Sequence, residues 1–348
     1  MSANPDVLPA HRFDENRLEE WLAANLPGFA GPMTVAEFKG GQSNPTYRLT
    51  TPGASYVLRR KPPGTLLPSA HAVDREYRIM TALAGTGVPV PRTYLLCDDE
   101  SVVGTMFYVM DFLDGRIFFD PRLPEIGSTT ERAAMFDAMN KVIAALHTVD
   151  YNAAGLDDFG RAGGYVARQI GRWSKQYKAS ETETIDAMER LMAWLPAHLP
   201  EDDETTLVHG DYRLDNLIFH PTEPRVIGVL DWEIATLGHP LADFAYHVMA
   251  WRVSPDEFRG LREVDIAALG IPDEAAYTTA YAQRTGRDAL PDWEFYMAYN
   301  LFRMAAILQG IMGRVRDGTA ANPEAARMGA LVRPLAELAW AQAAKIGD

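Results

Sequence analysis

The sequence predicts an α+β fold in two parts, a small antiparallel-sheet lobe over residues 1–113 and a larger, mainly helical lobe over residues 114–348. Three observations carry this prediction. Strand-like runs divided by Gly-Gly and Pro-Gly pairs crowd into the first third of the chain, with one helical pattern set among them. Beyond Gly115 apolar residues recur mostly at helical spacing. A chain of 348 residues can also bury enough surface for two lobes.

Along the chain, residues 14–26 place Leu18, Trp21, Leu22 and Leu26 on one helical face before Pro27-Gly28 stops the helix. Strands are expected at 33–38, 46–51 and 55–60, separated by Gly40-Gly41 and Pro52-Gly53. Val73, Tyr77, Met80 and Leu83 restore helical spacing over 72–83, and strands follow near 93–97 and 106–112. Helices are then expected at 133–149, 163–178 and 184–195, and after residue 240 at 241–251, 275–285, 294–315 and 325–344. The two lobes would meet at a hinge near residues 111–115, with the site between them.

Bulk properties exclude several classes. A net charge of −14 argues against a nucleic-acid partner, because phosphate backbones demand clustered Lys and Arg. The single cysteine, Cys97, rules out an intrachain disulfide and a cysteine-rich zinc site, and its apolar neighbours predict a buried thiol. No run of eighteen apolar residues occurs and the first residues lack a cationic, hydrophobic leader, so neither a membrane span nor a signal peptide is expected. A cytoplasmic location fits.

The most informative segment is V-H-G-D-Y-R-L-D-N-L-I-F at 208–219, followed by D-W-E-I-A-T-L-G-H-P-L-A-D at 231–243. Asp211 and Asn216 lie five apart, Asp231 follows the apolar strand 226–230, and Glu233 stands two beyond it. Phosphoryl transfer needs one carboxylate to take or orient an acceptor hydroxyl proton and hard oxygens to hold Mg²⁺ on nucleotide phosphates. An isolated Asp or Asn after a strand is ordinarily a turn former or cap. Four such residues in this order are poorly explained by turn chemistry alone.

These motifs resemble the aminoglycoside phosphotransferase-like and choline kinase-like small-molecule kinases, and most of all the kinase-like domains fused to acyl-CoA dehydrogenases. The likeness runs from about Phe38 to the last helices. It implies a protein-kinase-like bilobal fold, ATP and Mg²⁺ as cofactors, Asp211 and Arg213 as catalytic groups, and Asn216, Asp231 and Glu233 at the metal. It also implies a small-molecule hydroxyl acceptor and a functional pairing with an acyl-CoA dehydrogenase. Asp243 matches the family's structural carboxylate, which ties the catalytic loop to the next helix.

On the nucleotide side, Gly40, Gly41, Ser43 and Asn44 stand where kinases fold a loop over phosphates, although Gly-Gly between strands is also a plain hairpin. Arg59 ends three strand-type residues where the family places its nucleotide cation, whereas Lys61 abuts Pro62-Pro63, where the strand should have ended. Glu76 matches the helix carboxylate that orients this cation; an ion pair with Arg75, Arg78 or His71 competes with that reading. The backbone from Asp111 to Leu113 would meet the adenine edge.

On the acceptor side, Arg213 would neutralise the phosphoryl group in transit, while Asp215 caps or pairs. Arg303 sits in an apolar helical run and requires a partner, either a substrate anion or a protein carboxylate. The expected activity is ATP- and Mg²⁺-dependent O-phosphorylation of a small molecule, with a hydroxy acid or hydroxyacyl-CoA suggested by the family resemblance. A choline, amino-alcohol or aminoglycoside kinase and a silent nucleotide-binding scaffold are the alternatives. A protein kinase is disfavoured because no A-P-E segment occurs.

Overall fold

The computed structural model describes Asn4 and residues 6–38, 44–64, 71–318 and 325–346, in two compact units. The first comprises Met1–Arg116 with Leu217–Ile234, and the second comprises Ile117–Asn216 with Ala235–Asp348. Leu217–Ile234 therefore groups with the sheet, whereas a single boundary after residue 113 assigns it to the helical part. Pairing between distant segments is invisible to a linear cut.

In the first unit, β1 (Thr34–Glu37), β2 (Thr46–Thr50), β3 (Ser55–Arg60), β4 (Thr93–Cys97) and β5 (Phe107–Asp111) form one antiparallel sheet in the order β1-β2-β3-β5-β4. Alternation sends Tyr47 and Leu49 of β2, Leu58 of β3, and Phe107 and Val109 of β5 into a core shared with Leu18 and Leu22 of the helix Glu15–Asn25. The same period of two puts Arg59 and its register partner Tyr108 on the other face. The helix Val73–Leu83 brings its buried Glu76 to that face. Arg60 therefore turns coreward; it is 2 % exposed and bonds the Tyr47 hydroxyl at 3.1 Å and the His11 carbonyl at 2.9 Å. Those partners make a buried guanidinium tolerable. The hairpin of Leu217–Phe219 and Val226–Val229 completes the unit through a bridge from Arg116 to Phe219. Gly115 permits this approach, since a Cβ there would lie 2.4 Å from the Phe219 carbonyl oxygen.

The second unit is built around the helix Trp293–Arg316, buried along most of its length from Phe295 to Gln309. Helices Tyr165–Ser180, Pro240–Val248 and Val332–Ala343 pack against it. Ala336, Ala339 and Ala343 keep the last of these slim on its buried side. Thr206–Val208 pairs antiparallel with Thr236–Gly238, so the segments on either side of the signature leave from adjacent strands. The observed class is the expected α+β.

Two expectations need correction, and one element was not expected. The helix over 325–344 is two helices, Ala325–Gly329 and Val332–Ala343, because Pro334 cannot donate to a preceding turn and must sit within the first turn of a new helix. The helix over 241–251 ends at Val248 and tightens into a 3₁₀ turn, Met249–Trp251. A short helix at Glu100–Val103, capped by Asp99 at 2.9 Å from the Ser101 nitrogen, is too brief for periodicity to reveal. Cys97 is buried, and among the described residues no helix is long and apolar enough to cross a membrane.

Candidate active site

The signature turn leaves the strand Thr206–Val208 at His209, and its geometry depends on Gly210, whose φ of +83° is a left-handed conformation that side chains disfavour. Both amides at this point are held from the helix Pro240–Val248. Asp243 accepts the N–H of His209 and that of Gly210, each at 2.8 Å. Burial alone would raise the Asp243 carboxyl, but the bond from His147 and the neighbouring histidines hold it below its ordinary range. It therefore remains an acceptor. The turn's last amide, that of Asp211, donates to His209 Nδ1 at 3.2 Å.

Asp211 is held as closely as its backbone. Its Oδ1 accepts the Tyr246 hydroxyl at 2.6 Å and lies 3.2 Å from Arg213 Nε. Its Oδ2 accepts from Asn216 Nδ2 at 3.2 Å, and that amide also donates to the Asp211 carbonyl at 2.9 Å. The five-residue spacing of Asp211 and Asn216 thus closes a 3₁₀ turn, Leu214–Asn216, back onto the carboxylate. Tyr246 escaped the sequence reading, although a signal exists. It lies three residues after Asp243, one helical turn along the same face.

Arg303 is not paired with a protein carboxylate, one of the two partners expected for it. It is 6 % exposed and donates to the Gly210 carbonyl at 2.6 Å, with its guanidinium 4.8 Å from the Tyr246 ring centroid and 5.7 Å from that of Trp173. Among the described residues no carboxylate lies at salt-bridge distance from it. A backbone carbonyl and two aromatic faces instead stabilise the buried charge.

Beside the turn lies a cavity of about 80 Å³ walled by Phe136, Met139, Met249, Trp251, Val253 and Leu261. Tyr246 and Arg213, both at Asp211, also line it, as do Asp215, His247 and Arg259. Asp215 is the one carboxylate of this lining, and it is paired with Arg213 at 3.3 Å and Arg259 at 3.0 Å. Burial lowers His247 to about 4, so it is neutral and accepts the Tyr277 hydroxyl. The lining is apolar with a cationic bias.

In the first unit, Arg59 Nε lies 2.9 Å from Glu76 Oε2, while its Nη2 donates to Asp231 Oδ1 at 3.0 Å and lies 3.9 Å from Glu233 Oε2. Burial opposes the Arg59 charge, but Glu76, Tyr108, Asp231 and Glu233 outweigh it and raise its pKa. Burial also pushes Glu76 up to about 7, against the pull of Arg59 and the Tyr108 hydroxyl. Asp231 has a φ of +64°, a conformation Asp tolerates better than most residues, and the buried Trp232 indole anchors this turn to the Val229 carbonyl at 2.9 Å. Lys61 lies past the end of β3, 3.8 Å from Asp74.

The remaining nucleotide-side residues divide sharply. Gly40, Gly41 and Ser43 lie outside the described residues. The Asn44 side chain donates its amide to Glu76 at 2.9 Å and offers its carbonyl to His71 at 3.0 Å, so it supports the helix carboxylate. The Asp111 N–H is committed to the Arg92 carbonyl at 2.8 Å and its carboxylate accepts the Tyr94 hydroxyl. Leu113 packs on Gly228, where a Cβ would come within 2.4 Å of its Cδ1. Among the described residues no group of three or more His, Cys, Asp or Glu converges as a metal site.

Comparison with known proteins gives this geometry a context. The profile described as the phosphotransferase enzyme family matches residues 34–299. Mouse acyl-CoA dehydrogenase family member 10 is 49% identical over 350 residues, covering 99% of this chain and 33% of that protein. The chain thus spans a third of that relative's length. A Ralstonia eutropha protein, described as a candidate aminoglycoside phosphotransferase, is 57% identical in a solved structure, with a TM-score of 0.90 over 96% of this chain and 99% of that one. Choline kinase from Cryptosporidium parvum, only 9% identical, aligns with a TM-score of 0.67 over 96% of each chain, which shows the shared kinase-like fold alone.

Proposed function

The chain belongs to the phosphotransferase enzyme family, and we propose that this small-molecule kinase uses ATP and Mg²⁺ to phosphorylate the hydroxyl of a hydroxy acid or hydroxyacyl-CoA. The observation that carries the acceptor class is the cavity, whose walls are apolar and whose one lining carboxylate is already paired with two arginines. A polycationic aminoglycoside would need unpaired carboxylates there. An acyl chain would be received by Phe136, Met249 and Val253, and the two arginines paired with Asp215, Arg213 and Arg259, would give its carboxylate or thioester head a cationic surrounding.

In this reading Asp211 takes the acceptor's proton as its oxygen takes the phosphoryl group, and Arg213 offsets charge nearby. Asn216 directs its amide nitrogen at Asp211, which leaves its carbonyl oxygen as the atom suited to a cation. Asp231 and Glu233 are partly exposed oxygen donors. They suit Mg²⁺, which takes one or two carboxylates together with phosphates rather than a closed protein cage. Magnesium-ATP supplies the transferable phosphoryl group and the neutralising charge. Arg59, oriented by Glu76, clamps phosphate oxygens.

The acyl-CoA dehydrogenase name of the mouse relative supports a partner dehydrogenase drawing on the same acyl pool. One observation favours a second reading. Phe136, Trp251 and Tyr246 are aromatic faces of the kind that hold a quaternary ammonium, so choline-like acceptors stay in contention. ADP release measured with magnesium-ATP and a panel of hydroxy acids, hydroxyacyl-CoA thioesters, choline and aminoglycosides separates the readings. Turnover confined to the hydroxyacyl compounds is the expected result. Turnover confined to choline would replace the acyl reading.

A further inference from the structure

Asp211 has two carboxylate oxygens, and they are not equivalent. Oδ1 takes the short Tyr246 bond and stands beside Arg213, whereas Oδ2 receives only the longer bond from Asn216. Tyr246 shares the helix Pro240–Val248 with Asp243, so a single helix holds the turn's amides through Asp243 and the reactive carboxylate through Tyr246. From the long helix Trp293–Arg316, Arg303 grips the Gly210 carbonyl and lies against the Tyr246 ring. The two helices thus hold Gly210 at its N–H and its carbonyl, and the tyrosine ring that joins them also forms cavity wall.

We propose that Tyr246, held against Arg303, is a positioning residue that fixes the Asp211 carboxylate so that Oδ2 is the oxygen presented to the acceptor hydroxyl. The inference rests on the reading of Asp211 as the group that takes the acceptor's proton. Several features make the arrangement directional. Burial, with the Asp211 charge beside it, raises the Tyr246 hydroxyl far above its usual range, so it donates to Oδ1 at every working pH. Any rotation of the carboxylate short of a half-turn would break this bond. Arg303 prevents the phenol from following, because its guanidinium is fixed by the Gly210 carbonyl and buried between Tyr246 and Trp173. The cavity adds a specificity consequence. An occupant that displaced the Tyr246 ring would also disturb Asp211, so turnover selects acceptors that fit with the ring in place.

The test is Tyr246→Phe, which keeps the ring over Arg303 and removes only the hydroxyl, compared with the parent chain and with Asp211→Asn. Crystal structures read the carboxylate position directly. ADP release with magnesium-ATP and 3-hydroxybutyryl-CoA, and with magnesium-ATP alone, reads the rate. In Tyr246→Phe the Asp211 carboxylate should leave its parental rotamer. Acceptor-dependent kcat should fall about 10- to 100-fold, as expected for a misplaced reacting group, with the KM for ATP within about twofold of the parent. A carboxylate that keeps its place in Tyr246→Phe overturns the proposal whatever the rate. If the carboxylate moves but both Tyr246→Phe and Asp211→Asn turn over like the parent, the clamp stands and the proton-acceptor reading of Asp211 falls.

Discussion

The carboxylates of the two units are managed in opposite ways. In the first, one guanidinium, Arg59, serves three carboxylates, Glu76, Asp231 and Glu233, within 4 Å. In the second, Asp211 is surrounded by groups aimed at it, namely the Tyr246 hydroxyl, the Asn216 amide and the Arg213 guanidinium, while Asp243 and Arg303 fix its backbone. The first is a cluster in which negative charge exceeds local positive charge, suited to drawing in a cation with its phosphates. The second is a preset geometry that needs no rearrangement to act. The difference teaches where substitutions should be felt, with loss of charge balance and binding in one unit and loss of rate in the other.

The sharpest way to break this contrast is Asp211→Asn. The amide is isosteric, so the fold should survive, with an unchanged circular dichroism spectrum and unchanged binding of magnesium-ATP. Turnover should drop by about 10² to 10⁴, the usual worth of a positioned proton acceptor. A variant with parental kcat would show that the closely held carboxylate is only structural.

How much of this was legible in the sequence follows from what each residue's role depends on. The placement of Asp211 beside Asn216 and of Asp231 past a strand was legible because both are local, set by a five-residue turn and a strand end. Arg59 was separated from Lys61 by a local rule as well, since Pro62-Pro63 ends β3 before Lys61. Tyr246 was not, because an aromatic on an apolar helix reads as core until its hydroxyl is seen to reach Asp211. Arg303 called for a charged partner, whereas a backbone carbonyl carries no sequence signal at all. The bonds of the Asn44 side chain were not legible, because Glu76 and His71 arrive from a distant helix and turn. The sheet was read strand by strand, while the grouping of Leu217–Ile234 with it depends on contacts across a hundred residues.

In the first unit the largest effect should come from Arg59→Ala. It leaves Glu76, 1 % exposed, without its ion-pair partner, and breaking such a buried pair from one side costs about 3 kcal/mol. Urea unfolding should report that loss together with a raised ATP requirement. Lys61→Ala is the control, because its ion pair with Asp74 is long and exposed and should be worth about 0.5 kcal/mol at most. Equal losses for the two variants would remove Arg59 from the centre of the cluster.

Asp231→Ala should sharpen the comparison further by acting on binding rather than on fold. Removing a full charge from the cluster should weaken magnesium-ATP about 10- to 100-fold in calorimetry, while ATP without Mg²⁺ changes little. Indistinguishable losses with and without the metal would show that Asp231 only balances Arg59.

The smallest expected effect tests whether the second unit's buried, neutral histidines behave differently from the first unit's charges. Burial lowers His247 and His239 to about 4 each. Because an unfolded histidine binds a proton near its ordinary value, the unfolded state holds more protons between about pH 6.5 and 4. Stability therefore rises with pH across that window and is lost as pH falls through it. His247 alone should contribute on the order of 1–2 kcal/mol between pH 7.5 and 5. Urea midpoints at the two pH values should differ for the parent, and His247→Gln, whose side-chain carbonyl can still accept the Tyr277 hydroxyl, should flatten part of that slope. An unchanged slope in the variant would mean that acid acts elsewhere, with the carboxylates around Arg59 as the first place to look.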